Sequence, residues 1–308
     1  MGKRILLILI LLIVVFASLV VWAEGRRANL KPVTASKEVL YQLKPLPDFM
    51  PTIALKDFFF DKDNFYQAVE LAKKDKPQKN IKAIIAPHHL LASNIIAKMV
   101  HLASGRPIKQ VIIIGPNHYN IGPSPIITAP AKWETPFGWL EADSGLTSSF
   151  LDDFNTISYK EAFVNEHSIG GLAPFVKYYF PQAKILPVVV SSYANYKEAE
   201  RLSQWLSSHL SKDALIIFSL DFSHYLTKPE AEEKDKITKE LILQNDIEKI
   251  LTLNNDYVDS PAILATSLFL AKKQNFKVYI RQHANSFDYV QGRKPQATTS
   301  YFGISFEE

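Results

Sequence analysis

The sequence predicts an α/β protein, a three-layer sandwich whose central sheet is mostly parallel or mixed. Short apolar runs alternate with stretches of helical periodicity along most of the 308 residues, which is the pattern of strands joined by helices. Several of these runs are apolar at nearly every position, as strands covered on both faces usually are. An apolar fraction of 47% and a charged fraction of 21% are those of a chain that folds around a core.

The chain begins with its strongest local signal. Residues 5–23 carry no charge and would span about 29 Å as a helix, close to the thickness of a bilayer core. We therefore expect residues 1–27 to be an uncleaved membrane anchor, with a cleaved signal segment as the alternative. A single anchor at this end ordinarily leaves the following domain outside the cytoplasm, so an extracytoplasmic domain is expected. Four prolines interrupt residues 28–51, which predicts a tether.

Residues 52–308 are expected to form one domain, because nothing beyond residue 81 has the composition of an interdomain linker. An amphipathic helix is predicted over residues 63–75 from its acidic start, its apolar spacing and its terminal lysines. Strands are predicted at residues 82–87, 111–116, 185–190, 214–219, 277–282 and 301–306. Further helices are predicted at residues 93–103, 171–180, 197–210, 229–245 and 261–273.

The composition excludes several classes of site. The chain contains no cysteine, so disulfides, thiolate metal sites, cysteine-ligated iron-sulfur clusters and cysteine nucleophiles are all excluded. Any metal must therefore be held by nitrogen and oxygen atoms. The net charge of +4 is small and the lysines are scattered among acids, so no nucleic-acid partner is expected. The chain also lacks the common nucleotide-binding, zinc-protease and serine-hydrolase motifs.

Histidines follow three of the predicted strands. His88 follows the strand at residues 82–87, His118 follows the next one, and His224 comes soon after the strand at residues 214–219. Ligands of open α/β sheets bind beyond the carboxyl ends of the strands, so these three imidazoles are expected to share one crevice. Neutral imidazoles with carboxylates suit a divalent ion of iron, copper or zinc. The sequence thus predicts a metal site held by the three histidines.

Other polar residues leave alternatives open. Asp221 precedes His224 by three positions and either joins the metal, orients His224 or caps a turn. Glu166 and His167 precede a predicted helix and are candidates for the same crevice. His89 would point away from its neighbour on an extended chain, which makes it a peripheral candidate at best. A single histidine at a strand end is more often structural than catalytic, and it is the convergence of three that favours a site.

Five short motifs occur in a fixed order along the chain. They are "APHH" (86–89), "GPNHY" (115–119), "ETPFGWLEAD" (134–143), "NEHSI" (165–169) and "SLDFSHY" (219–225). In this order they resemble the Memo family, whose bacterial members are named AmmeMemoRadiSam system protein B. The resemblance covers residues 81–306 and implies a fold similar to the class III extradiol dioxygenases. It also implies that His88, His118 and His224 line a pocket, with His167 and Asp221 as further functional residues.

The chain departs from the family pattern at two places. Many Memo proteins carry a cysteine in the region that matches residues 255–263, where this chain has none and Asp259 is at most a substitute. The acid often found two positions after the serine of the fourth motif is Gly170 here. Dioxygenase relatives bind ferrous iron, and copper or iron has been proposed for Memo proteins. The resemblance implies no particular reaction.

Two functions remain open at this point. The first is a metal-dependent oxidoreductase or hydrolase of a small substrate, in which His88, His118 and His224 hold the metal and His167 or Asp221 moves protons. The second is a binding module at the membrane that captures a small molecule or peptide without chemistry. The pocket motifs favour the enzyme, whereas the missing cysteine and acid favour the binding module.

Overall fold

A computed structural model describes residues 52–56, 59–290 and 297–308. The predicted anchor at residues 1–27 and the predicted tether at residues 28–51 lie outside the described residues. Within those described ranges, no helix is both long enough and apolar enough to cross a bilayer. This finding corrects the predicted membrane-anchored, extracytoplasmic placement, which depended on the hydropathy of one N-terminal segment alone.

The domain contains an eight-stranded mixed sheet and a separate three-stranded sheet. The strands are β1 (Ile53–Lys56), β2 (Ile81–Ala86), β3 (Gln110–Pro116), β4 (Ile126–Thr128), β5 (Ala131–Thr135), β6 (Gly138–Leu140), β7 (Lys184–Val190), β8 (Ala214–Ser219), β9 (Phe222–Leu226), β10 (Lys277–Asn285) and β11 (Thr298–Glu307). The α-helices are α1 (Lys62–Ala72), α2 (Ser93–Leu102), α3 (Ser144–Phe154), α4 (His167–Gly170), α5 (Ala173–Tyr179), α6 (Tyr196–His209), α7 (Lys228–Gln244), α8 (Ile247–Ile250) and α9 (Pro261–Gln274).

The centre of the large sheet is parallel and its margins are antiparallel. The strand order is β10-β11-β2-β8-β3-β7-β4, and β9 pairs with β11 off this path. Strands β2, β8, β3 and β7 run parallel to one another, whereas β11 and β4 flank them in the opposite direction. The predicted mixed α/β sheet is therefore confirmed. Its consequence for the site is that the carboxyl ends of β2, β8 and β3 lie side by side.

Two apolar cores lie on the two faces of this sheet. Along β3, Val111 and Ile113 join a core that contains residues of α1, α2 and α5. Ile112 and Ile114 join a second core that contains residues of α6, α7 and α9. Successive side chains of a strand point to opposite faces, so a strand buried on both faces is apolar throughout. This arrangement is the three-layer sandwich that the sequence predicts.

Strand β9 is irregular where it pairs with β11. Thr298, Thr299 and Ser300 of β11 pair with Leu226, His224 and Phe222, so β9 uses two residues for each single residue of its partner. Such a mismatch is a β-bulge, which bends the strand and redirects its side chains. Two residues of β9, at positions 223 and 225, are left without a partner in this pairing. The bulged strand follows directly on the carboxyl end of β8.

Candidate metal centre

Three strand ends bring polar side chains to one place. His88 lies two residues beyond the end of β2, His118 two residues beyond β3, and Asp221 two residues beyond β8. These strands are adjacent in the sheet in the order β2-β8-β3, and they are parallel. The chain leaves all three strands at the same edge of the sheet, so their first loop residues converge.

A cavity of about 700 Å³ opens at this edge. All five site residues suggested by the sequence line it, together with Asp259 and His89, which the sequence left as secondary candidates. The five are His88, His118, His167, Asp221 and His224. The structure therefore brings every one of them to one cavity, from four separate segments of the chain.

Three of the imidazoles form a compact cluster. His88, His118 and His167 each offer a ring nitrogen, and these nitrogens lie within 4.8 Å of one another. The ring of His118 stacks on that of His167 with centroids 4.1 Å apart, and the ring of His88 meets both edge-on at 5.1 Å. Three imidazole nitrogens at this spacing could hold a single metal ion. The compact cluster contains His167, whereas the sequence reasoning has His224 as the third ligand.

The tautomer of His88 is fixed by a relay of hydrogen bonds. The hydroxyl of Ser219 donates to the carbonyl oxygen of Ser168 at 2.6 Å, so it accepts from His88 Nδ1 at 3.0 Å. With the hydrogen on Nδ1, the Nε2 atom of His88 keeps its lone pair. His88 is 3% exposed, so this orientation is held inside the protein. The ring of His88 therefore has the tautomer and the fixed orientation that a metal ligand needs.

Glu166 fixes the tautomer of His118 in the same way. His118 Nδ1 donates to Glu166 Oε1 at 2.7 Å, and the backbone N–H of His118 donates to Glu166 Oε2 at 2.9 Å. The backbone N–H of Ser168 adds a third bond to the carboxylate at 2.9 Å. Burial acts to raise the pKa of Glu166, but these bonds outweigh it and the pKa is lowered. Glu166 is therefore a buried, ionised acceptor for the Nδ1 hydrogen of His118, so in the neutral ring it is Nε2 that carries the lone pair.

The short helix α4 carries His167 and explains why Glu166 reaches His118. Glu166 is the N-cap of α4, and its side chain accepts from the backbone of Ser168. Helix α4 lies close to the backbone of β3, because a Cβ added at Gly115 would meet Ser168 Oγ at 2.5 Å. Only glycine at position 115 permits that approach. His167 follows the cap directly and turns its ring onto His118.

The imidazoles are held in their neutral form. Burial lowers the pKa of His88 well below its usual range, and the neighbouring His118 and His167 act in the same direction. Burial also lowers the pKa of His167 and of His224. A metal ion binds the neutral ring, so a lowered pKa keeps these nitrogens available near neutral pH. The electrostatics of the cavity therefore agree with its donor geometry.

Two buried carboxyl groups flank His88. Nε2 of His88 lies 3.6 Å from Asp221 Oδ2 and 3.5 Å from Asp259 Oδ2. Burial raises the pKa of Asp221, and it raises that of Asp259 well above its usual range, with the nearby Asp221 adding to the effect. Asp259 Oδ2 accepts from the backbone N–H of Asp221 at 3.0 Å, and its Oδ1 has no hydrogen-bond partner. A buried oxygen without a partner is costly unless it serves a ligand.

The remaining histidines divide into two groups. His224 lines the cavity and its buried Nδ1 has no hydrogen-bond partner, so this nitrogen is free for a ligand. His89 also lines the cavity, with its Nδ1 2.6 Å from the hydroxyl of Tyr301. His283 is not among the described residues that line the cavity. Its Nε2 donates to Asp235 Oδ2 at 2.8 Å instead. The sequence could not separate these cases, because each histidine follows or ends a strand.

Gly170 shows what replaces the acid expected from the family pattern. A Cβ added at Gly170 would lie 3.0 Å from Phe59 Cδ2, so the ring of Phe59 occupies the space beside it. Phe59 lines the cavity and lies 6.0 Å from the ring of His167, centroid to centroid. The wall of the cavity is therefore aromatic at this point. None of the sequence motifs that indicate the site contains Phe59, so its place in the cavity was not predicted.

Comparisons with known proteins agree with the motifs. The family model described as Memo-like protein matches residues 61–303. A MEMO1 family protein from Sulfurisphaera tokodaii is 30% identical over 244 residues, which cover 75% of this chain and 84% of that relative. A MEMO1 family protein from Aquifex aeolicus is 33% identical over 192 residues, which cover 61% of this chain and 71% of that relative.

A solved structure supports the fold. An uncharacterized protein from Escherichia coli K12 superposes with a TM-score of 0.51 and 12% identity, covering 73% of this chain and 99% of its own. At that identity the likeness concerns the fold alone. The family assignment comes from the sequence match over residues 61–303 and from the archaeal relative. Both confirm what the five ordered motifs indicated, and the chain belongs to the Memo-like protein family.

Proposed function

We propose that the cavity is a metal-dependent catalytic centre in which His88, His118 and His167 hold a divalent ion of iron, copper or zinc. The observation that carries this proposal is the approach of three imidazole nitrogens to within 4.8 Å of one another. Two of these rings have Nδ1 engaged in hydrogen bonds, to Ser219 and to Glu166, which leaves Nε2 for a ligand. Partners of this kind are typical of histidines that bind metals.

This proposal exchanges two roles that the sequence suggested. His167, assigned there to proton transfer, becomes a ligand because it stacks on His118 at 4.1 Å between centroids. His224, assigned there as a ligand, becomes a group that faces the substrate, because its Nδ1 is buried and unpaired. Asp221 keeps its proposed role in proton transfer. The donor set contains no sulfur, in agreement with the absence of cysteine.

The reaction class is that of an oxidoreductase or hydrolase acting on a small molecule. When bound, the metal supplies Lewis-acid activation of a substrate oxygen, of water or of dioxygen. Burial raises the pKa of Asp221, which is the direction that suits a general acid. His224 offers a buried Nδ1 without a hydrogen-bond partner, and burial lowers the pKa of its ring, which favours the neutral form that accepts a proton. A cavity of about 700 Å³ is large enough for a small substrate.

Metal analysis of the full-length protein and four histidine variants tests this proposal. We expect about one zinc, iron or copper ion per chain in the wild type, and loss of that ion in His118→Ala and His167→Ala. The ion should be retained in His224→Ala and in the control His209→Ala, whose ring lies on helix α6 and stacks on Trp205. Metal content is measured by elemental analysis after equilibration with a weak chelator.

Two outcomes would overturn the proposal. Retention of the ion in His167→Ala with its loss in His224→Ala would mean that His224 is the third ligand. A wild type that binds no metal would leave the cavity as a binding module for a small molecule or peptide. Circular dichroism of each variant shows whether the loss of metal reflects the site or a loss of folding.

A further inference from the structure

The backbone at Tyr225 adopts a conformation that tyrosine rarely takes. Its φ angle is +61°, in the left-handed region. The other non-glycine residues with positive φ in the described part of the chain are all asparagines, Asn120, Asn155, Asn245 and Asn275. Asparagine tolerates this region, whereas a bulky aromatic residue there is an outlier. Such outliers persist where the surroundings impose them, and they concentrate at functional sites.

The β-bulge explains the position of this residue. Leu226 and His224 pair with consecutive residues of β11, so Tyr225 is the extra residue between them. In a regular strand, neighbouring side chains point to opposite faces. Here His224 and Tyr225 both line the same cavity, with ring centroids 5.7 Å apart. The bulge therefore turns a side chain that would face away from the cavity towards it.

The ring of Tyr225 is available to a ligand. The residue is 79% exposed, although it lines the cavity that holds the histidine cluster. A large aromatic side chain gains little stability from this position, since most of its surface remains in water. Both the strained backbone and the exposed ring are thus unexplained by folding alone. A ring at the mouth of a cavity offers a flat apolar face for stacking.

The charge of the lining limits what can stack there. Among the described residues that line the cavity there are two acids, Asp221 and Asp259, and no lysine or arginine. The chain as a whole carries a net charge of +4, so this lining does not follow the overall composition. An anionic group would find no lysine or arginine among these residues to offset the loss of its hydration. Phe59 and Leu90 add apolar surface.

We propose that Tyr225 forms a substrate-binding subsite whose ring stacks on a planar aromatic ring that carries no negative charge. The stacked ring enters the mouth of the cavity, and its polar end reaches towards the histidine cluster. This inference deepens the proposed function and rests on it, because the subsite presents its ligand to the same histidines.

Matched probes of equal size test the subsite. We would titrate the full-length protein, metal-free and zinc-loaded, with 2-naphthol and with its saturated analogue decahydro-2-naphthol by calorimetry. The wild type should prefer the planar probe, and Tyr225→Phe should keep that preference. Tyr225→Asn removes the ring but suits the left-handed backbone. It should lower the affinity for 2-naphthol by about fivefold, with little effect on the affinity for the saturated probe. The anion 2-naphthoate should bind the metal-free protein roughly tenfold more weakly than 2-naphthol.

A control variant and metal analysis separate the outcomes. Tyr193→Asn changes another exposed tyrosine, 54% exposed, that is not among the residues lining the cavity, and should leave both affinities unchanged. Equal affinity of the wild type for planar and saturated probes, or unchanged 2-naphthol binding in Tyr225→Asn, would overturn the inference. Tyr225→Asn should bind zinc as the wild type does. A wild type that binds 2-naphthol but no metal would overturn the proposed function and leave the subsite standing.

Discussion

Replacement of Glu166 by glutamine tests the buried carboxylate that accepts three hydrogen bonds at the site. The carboxylate is 1% exposed and accepts three hydrogen bonds, at 2.7, 2.9 and 2.9 Å. The oxygen of a glutamine could accept from His118 Nδ1 and from Ser168 N, which both bond to Oε1. Its amino group would then face the backbone N–H of His118, donor against donor. The change therefore loses one hydrogen bond to a charged group and weakens two others.

The size of the effect follows from those three bonds. Hydrogen bonds to a charged group contribute about 1.5–3 kcal/mol each, and roughly half of that when the acceptor is neutral. Glu166→Gln should lower the free energy of unfolding by about 3–6 kcal/mol, which corresponds to a fall in Tm of about 6–24 °C for a domain of this size. Because His118 loses its anionic partner, zinc affinity should also fall by about 10- to 100-fold.

Thermal melting by circular dichroism and competition with a chromophoric zinc chelator measure the two effects. Glu161→Gln is the matched control, because Glu161 is an exposed acid in the turn of 3₁₀-helix just before α4. It should change neither quantity. A lower Tm with unchanged zinc affinity would show that Glu166 supports the fold alone, and the role assigned to it at His118 would be wrong. If Tm and affinity both stay at their wild-type values, the three hydrogen bonds do not contribute as argued.

Two further predictions concern acidity and close packing. The folded pKa of His88 lies below its unfolded value of about 6.5, so the unfolded chain binds more protons between the two, and the stability that neutral His88 contributes is complete above about pH 6.5 and falls as the pH decreases. The raised pKa values of the buried Asp221 and Asp259 act in the opposite direction, so the contribution of His88 is measured against His88→Gln, which keeps both carboxyl groups. In urea unfolding between about pH 7 and about pH 5, the stability of the wild type relative to His88→Gln should fall as the pH decreases, and a rise would contradict the argument. Gly171→Ala would place a Cβ 2.9 Å from the carbonyl oxygen of His88. Zinc affinity should therefore fall, together with a loss of about 1–3 kcal/mol in the free energy of unfolding. Gly145→Ala is the control, because the nearest neighbour of its added Cβ is 3.7 Å away, and it should change neither quantity.

Much of the fold follows from local sequence patterns. The central strands of the large sheet that are apolar on both faces, such as β3 and β8, fall within a residue of the predicted segments. Helix α3 was missed, although Asp143 caps its start and Asn155, with a φ of +47°, ends it. Strands β4 and β6 have three residues each, too few for a periodic pattern. Short elements depend on the contacts around them.

The residues of the site show the same difference between local sequence signals and long-range contacts. Histidines after strands can be found from sequence, because the end of a strand is a local property and parallel strands end at a common edge. The pairing of Glu166 with His118 joins residues 48 positions apart, and the relay from His88 to Ser219 spans 131 positions. No local pattern contains such pairings. For that reason the proposal of His167 in place of His224 as third ligand rests on the three-dimensional structure and not on the sequence.

Residues 166–168, at the start of helix α4, orient all three proposed metal ligands. Glu166 at its cap holds the ring of His118, His167 is itself in the cluster, and the carbonyl of Ser168 anchors the relay to His88 through Ser219. A shift of this single turn would displace His167 and disturb the hydrogen bonds that orient His118 and His88. We therefore expect one extra residue inside positions 166–168 to impair all three proposed ligands at once.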